Sequence, residues 1–187
     1  MRILVINGSP RRNGNTADLL NLVTGEAPRL GIDLIWHHLN DLSFRGCQSC
    51  FSCKEEEASG CGLVDDLSPV LEAVRTSDAL VIGSPIYIGG VTGQLKSFWD
   101  RLFGFIGPDR SCRLPPGRKA ALVITQGVTD RKAYRDLAGS MSAFLESQGF
   151  QTRALVAPGL GGSRETDRGL DARTQEEARN VGSWLWA

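Results

Sequence analysis

A chain of 187 residues, 41% hydrophobic and 22% charged, has the length and composition of one globular domain with a sizeable core. Its 21 Lys and Arg balance 21 Asp and Glu, so it carries neither the basic footprint of a nucleic-acid binder nor a net charge suited to anionic membranes. No apolar run reaches transmembrane length, and a strand begins within two residues of Met1, which leaves no room for a signal peptide and predicts a cytoplasmic protein.

The first predicted strand, Arg2–Asn7, is an almost unbroken Ile-Leu-Val-Ile run, as expected where both faces of a sheet are covered. It ends in Gly8-Ser9-Pro10-Arg11-Arg12-Asn13-Gly14-Asn15-Thr16. A helix is predicted over Thr16–Leu30, with Leu19, Leu20 and Val23 on one face and Gly31 as its cap. A strand over Asp33–Leu39 leads into a cysteine-rich insertion at about 43–63. The remaining strands are expected at Ala79–Gly83, Ala120–Thr125 and Thr152–Ala157. Helices are expected at Asp66–Thr76, Gly93–Phe103, Arg135–Gln148 and Thr174–Leu185. Gly149 reads as a cap, and Trp184 and Trp186 point to docking of the last helix. Five strands alternating with five helices predict a single α/β domain over 1–187. Its fold is expected to be a flavodoxin-like doubly wound parallel sheet in the order 2-1-3-4-5, with helices on both faces and right-handed crossovers. Such a sheet binds ligands at the carboxyl ends of its strands, between strands 1 and 3.

The loop after the first strand lies there. It lacks the Gly-Lys-Ser/Thr ending of a P-loop and the Gly-x-Gly-x-x-Gly of a dinucleotide fold. It offers instead side-chain donors from Ser9, Asn13, Asn15 and Thr16, with glycine at Gly8 and Gly14, ahead of a helix N-terminus. That chemistry suits the terminal phosphate of a mononucleotide, with FMN as the leading candidate. The competing reading is an ordinary strand-to-helix turn with an Asn or Thr N-cap. Beside it, the loop after the third strand carries Pro85, Ile86, Tyr87, Ile88 and Gly89, an apolar and aromatic surface for a flat ring. The competing reading of Tyr87, an aromatic filling the strand edge, is the weaker of the two. Gln126 and Gly127, after the fourth strand, add an amide donor and exposed backbone.

Taken together, residues 8–16, 84–90 and 95–101 resemble the NADPH-dependent FMN reductase branch of the flavodoxin-like superfamily, in matching order over nearly the whole chain. The resemblance implies FMN with its phosphate near Ser9, Arg11, Asn13, Gly14, Asn15 and Thr16 and its ring against the 85–89 segment. It implies NAD(P)H as electron donor, a small acceptor such as a quinone, flavin or metal ion, and a homodimer or homotetramer. The flavin carries such chemistry, so no catalytic side chain is expected.

Cys47-x-x-Cys50-x-x-Cys53, with Cys61 eight residues on, lets thiolates converge on one inorganic centre. The spacing resembles the compact motif of iron–sulfur flavoproteins, which implies a [4Fe–4S] cluster and an electron-transfer role with a ferredoxin-like donor. A zinc site and a cluster-free set of thiols are the other two readings. Cys112 reads as an ordinary thiol, and Glu55-Glu56-Glu57 as a solvated face. His37 and His38 are neighbours in a strand, point to opposite faces and cannot easily share a metal. Trp99, Phe103 and Phe105 fit a substrate mouth, an oligomer interface or core packing. Three functions stay open: an FMN-dependent NAD(P)H oxidoreductase, an iron–sulfur flavoprotein, and a flavin-binding module without activity.

Overall fold

A computed structural model describes residues 1–161 and 169–187. Its main strands are β1 (Arg2–Asn7), β2 (Asp33–His38), β3 (Ala79–Tyr87), β5 (Lys119–Thr125) and β6 (Gln151–Ala157); β4 is the two-residue Gly90–Val91. The helices are α1 (Asn15–Thr24), α2 (Ser68–Thr76), α3 (Gly93–Arg101), α4 (Arg135–Ser147) and α5 (Ala172–Trp186). The parallel order is β2-β1-β3-β5-β6, the flavodoxin-like layout expected from the sequence, with β4 folded back antiparallel on the end of β3.

Each central strand presents apolar residues to both faces, because helices cover both. Leu4, Ile6, Leu80 and Ile82 meet Val70, Phe98 and Met141 from α2, α3 and α4. On the opposite face Ile3, Val5 and Val81 meet Leu19, Leu20 and Val181 from α1 and α5. Trp184 and Trp186 pack against this second layer, as expected of a docked last helix. Among the described residues no helix is long and apolar enough to cross a membrane.

Most elements shift by one or two residues at an end, and three departures stand out. The helix expected over 16–30 stops at Thr24, and a 3-10 turn, Ala27–Leu30, follows it. Pro28 lacks an N–H, and its ring would meet the Thr24 carbonyl had the helix continued. Gly31, at φ 70°, then caps the short turn. Strand β3 runs on to Tyr87 because Ser84 and Pro85 continue the ladder with β5 and Ile86 and Tyr87 pair with β4. Pro85 is tolerated there. The Gly83 carbonyl faces β1, so the missing N–H two residues on points past the end of β1. Finally α3 ends at Arg101, and Leu102–Phe105 tighten into a 3-10 turn.

The cysteine-rich insertion is irregular chain held by one buried side chain. Arg101 is 1% exposed. Its Nη1 donates to Arg45 O and Asp65 Oδ2, both at 2.8 Å, and its Nη2 donates to Leu63 O at 3.0 Å. Both ends of the insertion are thereby strapped to the last turn of α3. Arg113 adds a bond to Cys53 O at 2.6 Å, and Lys54 Nζ reaches Phe103 O at 2.8 Å across the Phe103 ring.

Burial alone would raise the Asp65 carboxyl, but bonds from Arg101, Arg45 N–H and Leu67 N–H outweigh it and hold it below the ordinary aspartate value. A depressed carboxylate contributes stability that is present above its unfolded value, 3.8, and is lost as pH falls through the folded one. Asp65→Asn should therefore flatten the acid limb of the stability–pH curve. It should also cost roughly 3 kcal/mol at neutral pH, because it strands a buried cation. Urea unfolding across a pH series reads both effects. A second constraint sits where α1 crosses α5. A Cβ on Gly182 would lie 2.2 Å from Val23 O, so Gly182→Ala should cost about 1–3 kcal/mol in the same assay by forcing the helices apart.

Candidate functional site

The carboxyl ends of β1, β3 and β5 meet at one end of the sheet, and the loop after β1 is fixed there by its backbone. Gly8 N–H donates to Gly83 O at 2.8 Å, and Gly8 O accepts from Thr92 Oγ1 at 2.6 Å. A Cβ on Gly8 would lie 2.8 Å from Leu95 Cβ and 3.0 Å from Gly83 O, so only glycine allows this approach. Asn7 Oδ1 accepts Ser9 N–H at 2.9 Å, and Ser9 Oγ accepts Arg11 N–H at 3.1 Å. The Ser9 hydroxyl thus takes a backbone bond and keeps its own proton for a ligand.

Helix α1 opens on Gly14, in extended conformation and with no side-chain cap. The Asn or Thr cap of the competing turn reading is not what forms. Asn15 Nδ2 instead donates to Leu160 O at 3.4 Å. Thr16 Oγ1 pairs with Thr125 Oγ1 at 2.8 Å, and both hydroxyls are buried. The first intrahelical bond runs from Asp18 N–H to Gly14 O, which leaves the amides of Asn15, Thr16 and Ala17 without a helical acceptor. Their N–H groups and the positive end of the dipole face an anion-sized need. Arg12 is spent on an ion pair with Asp41, while Arg11 and Asn13 lie exposed on the same loop.

Two further segments border this end. Residues 86–91 form a hairpin in which Ile86 pairs with Val91 and Tyr87 with Gly90. Ile88 and Gly89 make its two-residue turn, both at positive φ, 46° and 78°. A β-branched residue there is a strained exception, and the Ile88 side chain is fully exposed. Tyr87 is 46% exposed, so it does not fill the strand edge. Gln126 behaves differently from the expected donor. Its Nε2 is used on Asp130 O at 2.8 Å, and its Oε1 is buried with no partner among the described residues. Gly127 packs against Gly161, where an added Cβ would meet Gly161 Cα at 3.2 Å.

The insertion builds a second site. Cys47, Cys50, Cys53 and Cys61 all line one cavity of about 530 Å³, together with Trp99 and Arg101. Cys53 is buried, Cys61 half-buried, and Cys47 and Cys50 exposed. Burial pushes the Cys53 thiol up, whereas hydrogen bonding to Ser52, 3.3 Å from its sulfur, lowers the Cys50 thiol. Arg101 brings a positive charge to the wall, and its Nε has no hydrogen-bond partner among the described residues. Among the described residues no three His, Cys, Asp or Glu side chains gather around a single-ion point, as a zinc site would need. The thiols instead border a shared space larger than one ion.

Of the three aromatics singled out earlier, Trp99 lines this cavity and stacks at a tilt on Phe144, 5.3 Å away. Phe103 also lines it and meets Phe51 edge-on, while Phe105 belongs to the core. Cys112 stands apart from the cavity, its sulfur taking Leu114 N–H and facing Gln148 O, each at 3.3 Å. His37 and His38 are both lowered by burial and lie on β2, and Glu55, Glu56 and Glu57 are exposed as expected. Sequence reasoning missed Thr92, Thr125, Asp65 and Arg101. The Thr-x-x-Leu spacing ahead of α3 carried a capping signal for Thr92. Nothing local marked Arg101 as inward-facing.

Comparison with known proteins bears on both sites. A sequence profile of the NADPH-dependent FMN reductase family matches residues 1–157. An iron–sulfur flavoprotein of Methanocaldococcus jannaschii is 37% identical over 101 residues, covering 54% of this chain and 51% of that protein. The chain spans about half the length of the curated relatives it matches. In three dimensions it resembles an NAD(P)H:quinone oxidoreductase from Methanothermobacter marburgensis at a TM-score of 0.72 and 19% identity, covering 100% of this chain and 98% of that one. It also resembles an FMN-dependent NADH-azoreductase from Bacillus anthracis, in complex with FMN, at a TM-score of 0.71, 16% identity and full coverage of both chains. At these identities the structural likeness speaks for the fold. With the profile spanning most of its length, the chain belongs to the NADPH-dependent FMN reductase family.

Proposed function

We propose that the protein binds FMN at the carboxyl end of its sheet and works as an oxidoreductase that takes electrons from NAD(P)H and passes them to a small acceptor such as a quinone, a flavin or a metal ion. The observation that carries this reading is the uncapped first turn of α1, open between the buried hydroxyls of Ser9 and Thr16. Bound FMN would supply hydride acceptance and electron transfer at its ring. The chain's own part is binding and orientation. The amides of Asn15, Thr16 and Ala17 and the Ser9 hydroxyl donate toward the phosphate. Thr125 holds Thr16 in place, and when Thr125 donates across their bond the Thr16 proton is left for the anion. The orphaned Gln126 Oε1 is an acceptor that suits the single ring N–H of an oxidised isoalloxazine. The 85–89 segment offers the apolar surface for the ring, and its exposed Tyr87 and Ile88 suit burial against a second copy in a homodimer or homotetramer.

The four-cysteine cavity favours a second reading, in which Cys47, Cys50, Cys53 and Cys61 hold a [4Fe–4S] cluster and the protein accepts electrons from a ferredoxin-like donor. All four thiols border the same space, and the seven top-scoring curated relatives are named iron–sulfur flavoproteins. Arg101 would then set a buried positive charge beside the thiolates that such a centre requires.

Two experiments test these readings, the first their shared FMN site and the second the cluster. FMN titrated into the apoprotein and followed by fluorescence should bind Ser9→Ala and Thr16→Val with about 1–3 kcal/mol less affinity, as for a lost bond to a charged group. Thr125→Val, which removes only the hydroxyl behind Thr16, should lose less. Unchanged affinity in both Ser9→Ala and Thr16→Val sinks the phosphate-loop assignment. Anaerobically purified protein should contain about four iron and four acid-labile sulfide atoms per chain, abolished by Cys53→Ser. Stoichiometric absence of iron ends the second reading and leaves the first intact.

A further inference from the structure

We propose that the free edge of β6 is a docking groove for an extended acidic segment of another protein, which joins the sheet as a further strand. The inference is independent of what the two sites above hold. Strand β6 pairs with β5 alone and ends the sheet. Gln151 N–H donates to Arg118 O at 2.8 Å, and Ala157 O accepts Gln126 N–H at 3.0 Å, so both residues face β5. Alternation then turns the N–H and C=O groups of Thr152, Ala154 and Val156 outward, where no strand among the described residues meets them. Such unpaired edge groups are a template for an added strand.

This edge is the floor of a groove. A cavity of about 510 Å³ runs along it, walled by α4 on one side and α5 on the other. The walls are low where a backbone must enter. Gly139 on α4 has no atom within 4 Å of where its Cβ would be, and Ala154 on the strand is small and exposed. Four arginines border the same cavity: Arg131, Arg135, Arg153 and Arg173. The acidic groups facing them are few. Arg131 binds Asp171 and Glu177, and Arg173 shares Glu177. Among the described residues Arg135 has no ion-pair partner, and Arg153 stacks its guanidinium over Trp184 at 4.9 Å with no carboxylate on it. Stacked on an aromatic face, a guanidinium keeps its edge donors for a carboxylate. Glu146 is held by Thr152 Oγ1 at 2.5 Å, at the far end of the strand.

Charge selects the occupant. A second copy pairing β6 with β6 would bring two arginine-bordered grooves together, and like charges repel. An incoming strand carrying Glu or Asp at two neighbouring positions, one on each face, meets Arg153 on the α5 side and Arg135 on the α4 side while its backbone pairs with the edge. Arginines that merely guarded the edge against aggregation would do so without a groove or small residues beneath them.

A fluorescent eight-residue peptide, Val-Glu-Glu-Val-Val-Glu-Glu-Val, which shows Glu on both faces, serves as the probe. Two control peptides carry the same charges but are N-methylated at alternate backbone nitrogens, one in each register. The parent should bind the full chain with an affinity that falls as salt rises, and should slow hydrogen exchange at the Thr152, Ala154 and Val156 amides. At least one control should bind tenfold more weakly. Ala154→Pro removes one outward N–H and leaves the β5 ladder whole, and should weaken binding at least tenfold. Arg153→Glu should do the same without touching the backbone; thermal unfolding confirms that both variants fold. Equal binding of the parent and both controls means charge attraction alone and overturns the proposal. So does absence of binding at millimolar peptide. A dimer in sedimentation that Ala154→Pro dissolves would put a second copy on the edge and overturn it as well.

Discussion

Both candidate sites hang on the two ends of α3, and the buried Arg101 guanidinium at its C-terminal end is the interaction on which the cysteine segment depends. The insertion has no sheet or long helix of its own. Its backbone carbonyls at Arg45 and Leu63 are brought together because one inward cation needs both of them and Asp65. The two terminal nitrogens of the guanidinium take one carboxylate and two carbonyls, and its planar fork fixes direction as well as attraction. Without that strap the four thiols would have no reason to share a cavity.

The other end of α3 works on the phosphate loop. Thr92 caps the helix by accepting Leu95 N–H, and the same hydroxyl donates to Gly8 O. One side chain therefore starts the helix and holds the loop that follows β1. The nine residues of α3 span about 13 Å, so a single rigid rod sets the spacing between the two sites. That arrangement fits a protein in which electrons pass between centres, because a fixed gap between them is set by the scaffold and not by mobile loops.

The sheet and the phosphate loop were legible in the sequence because their signals are local. Unbroken apolar runs mark doubly covered strands, and a Gly- and Asn-rich loop between a strand and a helix marks an anion site. What stayed hidden depends on partners far along the chain. Arg101 reads as an exposed helix residue until Asp65, 36 positions earlier, is known to lie beneath it. Thr16 reads as a phosphate ligand or a cap, and only the fold brings Thr125 to its hydroxyl. The extension of β3 escaped prediction because Pro85 argues against a strand, an argument that fails where β1 has already ended. The spacing of the cysteines said that thiols could meet. It could not say that Cys53 would be buried and Cys47 and Cys50 left in the open.

Net neutrality was the least informative signal, because charge acts where it is placed. The chain's 21 cations and 21 anions cancel as a sum. Yet three glutamates stand together on the cysteine segment, and four arginines border one groove along the β6 edge of the sheet. Exposed charges more than about 10 Å apart are largely screened at ordinary salt, so a partner arriving at β6 meets the arginines and not the average. The zero sum rules out a protein that is basic or acidic throughout. A locally basic edge inside a neutral chain adds little long-range attraction, so its arginines choose between partners only at contact, where the strand backbones already pair.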